Sequence, residues 1–503
     1  MLNIDDYLDL AEEYNIIPIY QEFIADTETP ISLYNKLAVD TDYSYLLEST
    51  ENDRYSFIGL APAAVYRNYN DYFEIIKGDF KDIKSQDLIT YLQNYLEDVK
   101  IYEREKLPPF SGGFVGYFNY EMIEKWEEIY HSEPDKELKK NDKPLSILVE
   151  TQVIVAYDHL HNKVKIINNL KVNDSMDISE KEEIFNQGIS EIKRVKEKID
   201  SKKINFESTN RKYSFKQEVL KSNTKKDEFE EMVKKAKEHI IEGDIFQIVL
   251  SQKFSIENNI PPFNIYRALR SVNPSPYSFY LNFPENKIIG SSPEVLVRVR
   301  DRRVMTRPLA GTRPRGKTIK EDQNLEEDLK NDEKEKAEHT MLLDLGRNDL
   351  SKISAPGTVE VTELMEVEYF SKVMHLVSQV EADLKDGLGS LDALKANFPA
   401  GTVSGAPKIK AIELIDNFEK EARGVYAGTV AYLSFNGNLD SCITIRTFSL
   451  SDEILNLQVG AGIVADSEPA KEHQEILNKG EALFEALKIA ERGGNNDFGD
   501  RYL

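Results

Sequence analysis

The chain has 503 residues, with 64 Lys and Arg against 88 Asp and Glu, and a formal net charge of −24. Such a charge repels a polyanion over most of the surface, so nucleic acid is not an expected partner. Hydrophobic residues make up 40% of the chain, no apolar run approaches the about 18 residues of a bilayer span, and the acidic start MLNIDDYLDLAEEYN lacks a signal-peptide pattern. The expectation is a globular, cytoplasmic protein with no membrane partner. A single cysteine, Cys442, excludes an internal disulfide and a thiolate zinc cage, and leaves little room for a Cys-dependent glutaminase on this chain.

In chain order, residues 1–170 mix β-rich runs (YSYLLES, RYSFIGLAPAAVYR, LSILVETQVIVAYD) with helical stretches such as DLITYLQNYLEDV, an α+β pattern. Residues 171–226 carry alternating charges at helical spacing and then a polar tract, which reads as a solvated helix and connector. From Asp227 a helix, DEFEEMVKKAKEHIIEG, ends at Gly243 and passes into the strand DIFQIVLSQKFS. Further strands follow at SFYLNF, KIIGSSPEVLVRVR, VYAGTVAYLSF, DSCITIRTFSL and ILNLQVGAGIVA, with a hairpin signal at Asn436-Gly437-Asn438. Residues 227–492 thus form the larger unit, and 493–503 a tail. The fold class is α+β: a large antiparallel β-sheet sandwich with helices packed outside it, preceded by an N-terminal α+β region.

Several constellations carry chemistry. In FPAGTVSGAPK, 398–408, Ala406 and Pro407 break the spacing of a nucleotide-phosphate loop, leaving a flexible turn before a helix. Two helices each present carboxylates on one face: Glu335 and Glu338 on the first, Glu472 and Glu475 with Lys479 on the last. Oxygen donors without sulfur suit Mg²⁺, while the same spacing also describes an ordinary solvated face, and spacing leaves open whether the helices meet. His375, in an apolar run, fits a hydrogen-bonded interior histidine as well as a general acid. The turn Gly460-Ala461-Gly462 permits close approach of backbone amides to a ligand, and Arg446 offers a planar fork for a carboxylate.

Taken together, LLES at 46–49, RYSFIG at 54–59, NPSPYSFYL at 273–281, GSSPE at 290–294, RPLAGTRPRG at 307–316, AEHTMLLDLGRNDL at 337–350, VMHLVS at 373–378, FPAGTVSGAPK at 398–408, RGVYAG at 423–428 and GAGIVADS with EILNKG after it resemble the chorismate-utilising enzymes. Within them the likeness is greatest to the family of anthranilate synthase large subunits, component I, and it spans nearly the whole chain. The resemblance implies Mg²⁺ as cofactor, held by Glu338 and Glu475 with Glu335 and Glu472 in support. It implies that chorismate is bound by Arg446, Lys479, Tyr426 and the amides of Gly311, Thr312, Gly460, Ala461 and Gly462, that Thr402 faces the substrate, and that His375 protonates the departing 4-hydroxyl. Ammonia would come from a separate glutamine amidotransferase subunit, component II.

Relatives that add water carry a lysine base where this chain has Gln247, whose amide cannot deprotonate water. Aminodeoxychorismate synthases carry a lysine where Ala310 stands. Both positions point to the anthranilate-forming branch, with aminodeoxychorismate synthase component I and a non-catalytic tryptophan-sensing paralogue as the alternatives. Ser49, Pro276, Tyr277 and Ser278 resemble the family's tryptophan site for feedback inhibition, with Ser278 standing where the family commonly has Met.

Overall fold

The computed structural model describes residues 2–49, 54–129, 143–204, 220–370 and 373–492. Two twelve-stranded antiparallel sheets lie face to face, and strands from both the N-terminal and C-terminal parts of the chain are hydrogen-bonded into each. In the first sheet, for example, strand Ser44–Glu48 pairs with Tyr277–Asn282; in the second, Gly113–Phe118 pairs with Thr429–Ser434. Period-two alternation explains the layering: Phe279 and Leu281 from one sheet meet Val115 and Tyr117 from the other in the core between them.

Helices cover both outer faces of the sandwich. On the first sheet a core joins Leu46, Ile166, Leu250 and Leu457 to helix residues such as Tyr34, Ile192, Phe229, Leu269 and Leu483. On the second, Phe114, Leu148 and Val297 pack under Leu92, Leu343, Leu350 and Leu394. The charged stretch after residue 171 contains helix Ile178–Ser201, which has one solvated face and one apolar face, through Phe185, Ile192, Val195 and Ile199, facing the first sheet. Gly243, at φ +86°, closes helix Lys226–Glu242, and Leu433 pairs with Leu439 across the Asn436-Gly437 turn. Among the described residues no helix is long and apolar enough to cross a membrane.

One end of the second sheet stands apart from these cores. Strands Leu309–Pro314, Glu360–Tyr369 and the start of Val373–Asp383, with helix Ile319–Asn331, share only a small cluster of buried apolar residues, Leu329, Met374 and Leu376. Beyond backbone pairing and a few partly buried apolar side chains they are joined by ion pairs: Arg307 Nη2 donates to Glu363 at 2.9 Å and Glu368 at 2.5 Å, and Arg315 Nη2 to Asp322 at 2.7 Å.

Candidate active site

We take as the candidate cleft the region where this lobe approaches the edge of the first sheet, His375 coming within electrostatic reach of Arg446 and Lys479. Its floor is strand Gln247–Glu257 paired with Ile454–Ile463, placing Gly462 opposite Val249, Ala461 opposite Leu250 and Gly460 opposite Ser251. The glycines make room for neighbours. A Cβ at Gly460 would lie 2.3 Å from the Tyr426 hydroxyl, and one at Gly462 would lie 2.8 Å from Gln247 Nε2. Lys479 Nζ donates to the Gly460 carbonyl at 3.1 Å, which fixes the ammonium over the turn.

On the lobe, a bulge between Ala310 and Thr312 interrupts the pairing of Leu309–Pro314 with Val373–Asp383. Gly311, at φ +74°, takes the conformation that this bulge requires, and its carbonyl accepts from His375 Nδ1 at 2.9 Å. Thr312 Oγ1 lies 3.1 Å from the same nitrogen. With Nδ1 carrying its proton toward a carbonyl, Nε2 is the nitrogen left to face a ligand. Burial lowers the imidazole pKa, and the positive charges of Arg446 and Lys479 lower it further, against the opposing pull of the Gly311 carbonyl and Glu368.

Arg446 sits at φ +52° and Ala427, next to Tyr426, at φ +61°. Left-handed backbone at non-glycine residues stores strain, and here it flanks two side chains that line the cleft. Arg446 Nη1 donates to the Lys479 carbonyl, tying the strand region to the C-terminal helix. The structure adds a residue that sequence reasoning passed over: Glu294, in the quoted GSSPE stretch, accepts from Thr402 Oγ1 at 2.8 Å. Its carboxyl is closely surrounded by protein, and burial raises its pKa despite the Thr402 bond and the nearby charges of Lys479 and Arg446.

Helices Glu333–Ser351 and Pro469–Glu491 supply the acidic groups. Their carboxylate faces share one electrostatic neighbourhood: Lys334 of the first helix and Lys479 of the second each act to lower the pKa of both Glu338 and Glu472. Burial outweighs these cations and raises both carboxyls, with Glu335 adding to the rise at Glu338 and Glu475 to that at Glu472. Gln247 Nε2 reaches Glu338 Oε1 at 3.5 Å. Glu475 is paired with Lys479 at 2.7 Å and Glu335 with Arg313 at 3.0 Å. Among the described residues no three of these four carboxylates close to within 4.8 Å of one another.

The loop at 398–408 is a spacer pressed between walls. A Cβ at Gly401 would come 2.1 Å from Leu345, and one at Gly405 2.2 Å from the Gln247 carbonyl. The buried Lys408 Nζ donates to Asp349 at 2.6 Å and moors the loop to helix Glu333–Ser351. Arg423 donates to the Val403 and Val249 carbonyls, each at 2.7 Å, and to both oxygens of Glu419, so the loop, the floor strand and helix Lys408–Phe418 are joined by one buried guanidinium.

The residues expected to hold tryptophan adjoin elsewhere in the first sheet. Ser278 pairs across strands with Glu48, the neighbour of Ser49. Ser278 is buried, with Oγ 3.2 Å from Ser291 Oγ, while Tyr277 donates to Asp440 at 2.9 Å and accepts from Arg298 at 3.0 Å; Pro276 precedes them. Glu48 accepts from Tyr266 at 2.5 Å through Oε2, and its buried Oε1 has no hydrogen-bond partner among the described residues. Burial raises its pKa.

Residues 42–485 match the family model described as chorismate binding enzyme. Anthranilate synthase component 1 of Aquifex aeolicus (strain VF5) is 44% identical over 501 residues, covering 97% of this chain and 98% of that protein. The protein of the same name from Bacillus subtilis (strain 168) is 40% identical, covering 97% and 95%. The crystal structure of anthranilate synthase component I from Streptococcus pneumoniae TIGR4 superposes with a TM-score of 0.70 at 35% identity, over 92% of this chain and 99% of that one. The menaquinone-specific isochorismate synthase MenF of Escherichia coli shares the fold, with a TM-score of 0.70 at 20% identity over 96% and 98%. The chain therefore belongs to the chorismate binding enzyme family and, within it, to the anthranilate synthase component 1 group.

Proposed function

We propose that the protein converts chorismate and ammonia to anthranilate and pyruvate in the cytoplasm, as the first committed unit of a two-component enzyme. The observation that carries this reading is one site gathering a carboxyl whose pKa burial raises, a cationic pair and an acidic cluster: Glu294, then Arg446 with Lys479, then Glu338 with Glu472 and Glu475. A dicarboxylate substrate whose hydroxyl must leave calls for each of these.

The Mg²⁺ fit rests on the donor set. Hard oxygen ligands predominate, and the pKa values of two carboxyls, Glu338 and Glu472, are raised by burial and by a neighbouring carboxylate, Glu335 and Glu475 respectively, a repulsion that a cation would relieve. Glu338 and Glu475 would hold the ion, with Glu335 and Glu472 behind them. When bound, it supplies charge that holds and screens the ring carboxylate. Arg446, Lys479 and the amides of Gly460 to Gly462 orient the carboxylates, and Tyr426 closes the floor.

Ammonia forms a C–N bond at C2 and gives up a proton, both ring double bonds shift, from C1=C2 and C5=C6 to C1=C6 and C4=C5, and the C4–O bond breaks as the leaving oxygen takes a proton and departs as water. Loss of the C2 proton and of the enolpyruvyl group as pyruvate then aromatises the ring. We assign delivery of the proton to the oxygen leaving C4 to Glu294, because burial moves that carboxyl's pKa upward, toward the range of a general acid, whereas burial and then two neighbouring cations move the His375 pKa downward. A second reading keeps His375 as donor: substrate carboxylates on Arg446 and Lys479 would offset the cationic charges that add to burial in lowering its pKa. Gln247, a neutral amide, offers the attacking side no base, which suits ammonia and not water.

Cys442 is 2% exposed and burial raises its thiol pKa, so it cannot serve as a glutaminase thiolate; glutamine-derived ammonia would come from a separate amidotransferase. Tryptophan would bind at Ser49, Pro276, Tyr277 and Ser278, with the unpartnered Glu48 oxygen as acceptor for its ammonium. The test is product identity. With chorismate, Mg²⁺ and an ammonium salt, the purified chain should give fluorescent anthranilate and pyruvate in equal amounts. Isochorismate or aminodeoxychorismate in their place would reject the assignment.

A further inference from the structure

Arg313 follows the bulged Gly311-Thr312 pair and gathers three carboxylates. Nε donates to Asp328 at 2.7 Å, Nη2 to Asp332 at 2.6 Å, and Nη1 to Glu335 and to the Thr312 carbonyl, both at 3.0 Å. Asp332 is at the same time the N-cap of helix Glu333–Ser351, its Oδ1 accepting from the Lys334 and Glu335 amides at 2.9 and 3.2 Å. One guanidinium therefore links the strand that positions His375 to the first turn of the helix that carries Glu338. A lysine, with a single point charge, cannot span these acceptors in the same way.

Charge counting gives this link a consequence for the ion. Of the four carboxylates Glu335, Glu338, Glu472 and Glu475, two are paired with chain cations, Glu335 with Arg313 and Glu475 with Lys479, and Arg313 is shared with Asp328 and Asp332. Acidic groups therefore outnumber their paired cations, an excess of negative charge that a divalent ion would reduce. We propose that Arg313 is a positioning residue that sets the affinity of the divalent-ion site: it neutralises Glu335, holds that carboxylate off the ion, and keeps Glu338 in register with His375. The proposal rests on the Mg²⁺ reading above and concerns a residue outside the substrate-binding set.

The test titrates Mg²⁺ alone, by calorimetry, into chelator-stripped full-length protein without substrate, alongside steady-state turnover. Arg313→Ala exposes an unbalanced carboxylate near the ion, so binding should tighten about tenfold, while kcat falls several-fold as Glu335 and the helix start lose their register. Arg313→Lys should keep Kd within about threefold of the parent and still lower kcat, because charge is retained and the fork is lost. Asp328→Asn, at the exposed end of the cluster, should change neither by more than about twofold. An unchanged or weaker Kd in Arg313→Ala, even with a lowered Tm, would overturn the proposal, as would an equal shift in Asp328→Asn or a parent protein that binds no Mg²⁺. If the parent binds Mg²⁺ with this Arg313 dependence yet makes no anthranilate, the proposed reaction fails and the inference about Arg313 stands.

Discussion

The two walls of the cleft are built by different forces. The floor, Gln247–Glu257 with Ile454–Ile463 and the C-terminal helix, rests on a continuous apolar core through Ile248, Leu250, Leu457, Ile463, Ile476 and Leu483. Among the described residues the lobe that carries Gly311, Thr312 and His375 has a small apolar cluster centred on Leu329, Met374 and Leu376 and is laced by Arg307, Arg313 and Arg315. Apolar packing resists salt and fixes geometry, whereas partly exposed ion pairs are screened and adaptable. On the proposed reading the substrate's fixed anchors would lie on the floor, and the groups that adjust around a reacting ring on the lobe.

The largest expected effect comes from the group set between the walls. Glu294→Gln should lower kcat on the order of 10²–10⁴-fold if it is the proton donor, and His375→Ala by clearly less; the reverse order in steady-state kinetics would move the donor role to the lobe. In the parent, activity should fall as pH rises through the raised Glu294 value, and Glu294→Gln should lose that limb. Stability carries the opposite signature. A carboxyl whose folded pKa exceeds its unfolded value binds more protons in the folded state, so stability declines as pH climbs from about 4.3 through the raised value. Glu294→Gln should therefore melt higher than the parent at pH 8, with the gap closing near about pH 4, as scanning calorimetry can show.

Next in size is damage to the floor. Leu250→Ala should cost about 2–5 kcal/mol in denaturant unfolding, because a close-packed core relaxes only partly around a cavity. Arg307→Ala on the lobe should cost about 1 kcal/mol or less, yet hydrogen exchange along Glu360–Tyr369 should quicken while the floor strands stay protected. Smallest is the response to salt: moving from about 0.05 to 0.5 M NaCl should raise exchange in the lobe and leave the floor unchanged. Equal exchange in both walls would erase the contrast.

Much of the frame was legible in the sequence. Period-two runs marked the strands, Gly243 marked a helix end, and the Asn436-Gly437 turn marked a hairpin, because each is a local consequence of backbone chemistry. The i, i+3 spacing put Glu335 with Glu338 and Glu472 with Glu475, but whether those faces shared a neighbourhood depended on sheet order, which no local signal encodes. Glu294 escaped notice as a donor because a lone carboxylate between two strands has no periodicity, and only burial in the fold raises its pKa. Arg313 escaped for a similar reason: its three partners are spread over 328–335 and converge only after helix Ile319–Asn331 folds back on the strand. The buried pairing of Lys408 with Asp349 was likewise outside local reach, because the two residues are far apart in the chain.

The most direct test of the two walls meeting over a shared ion is the anomalous signal of crystals soaked with Mn²⁺ and chorismate. The account predicts one strong peak between the Glu338 and Glu475 carboxylates, lost in Glu338→Gln. A peak confined to the exposed His239, Glu242 and Asp244 group, or none within reach of both helices, would contradict it.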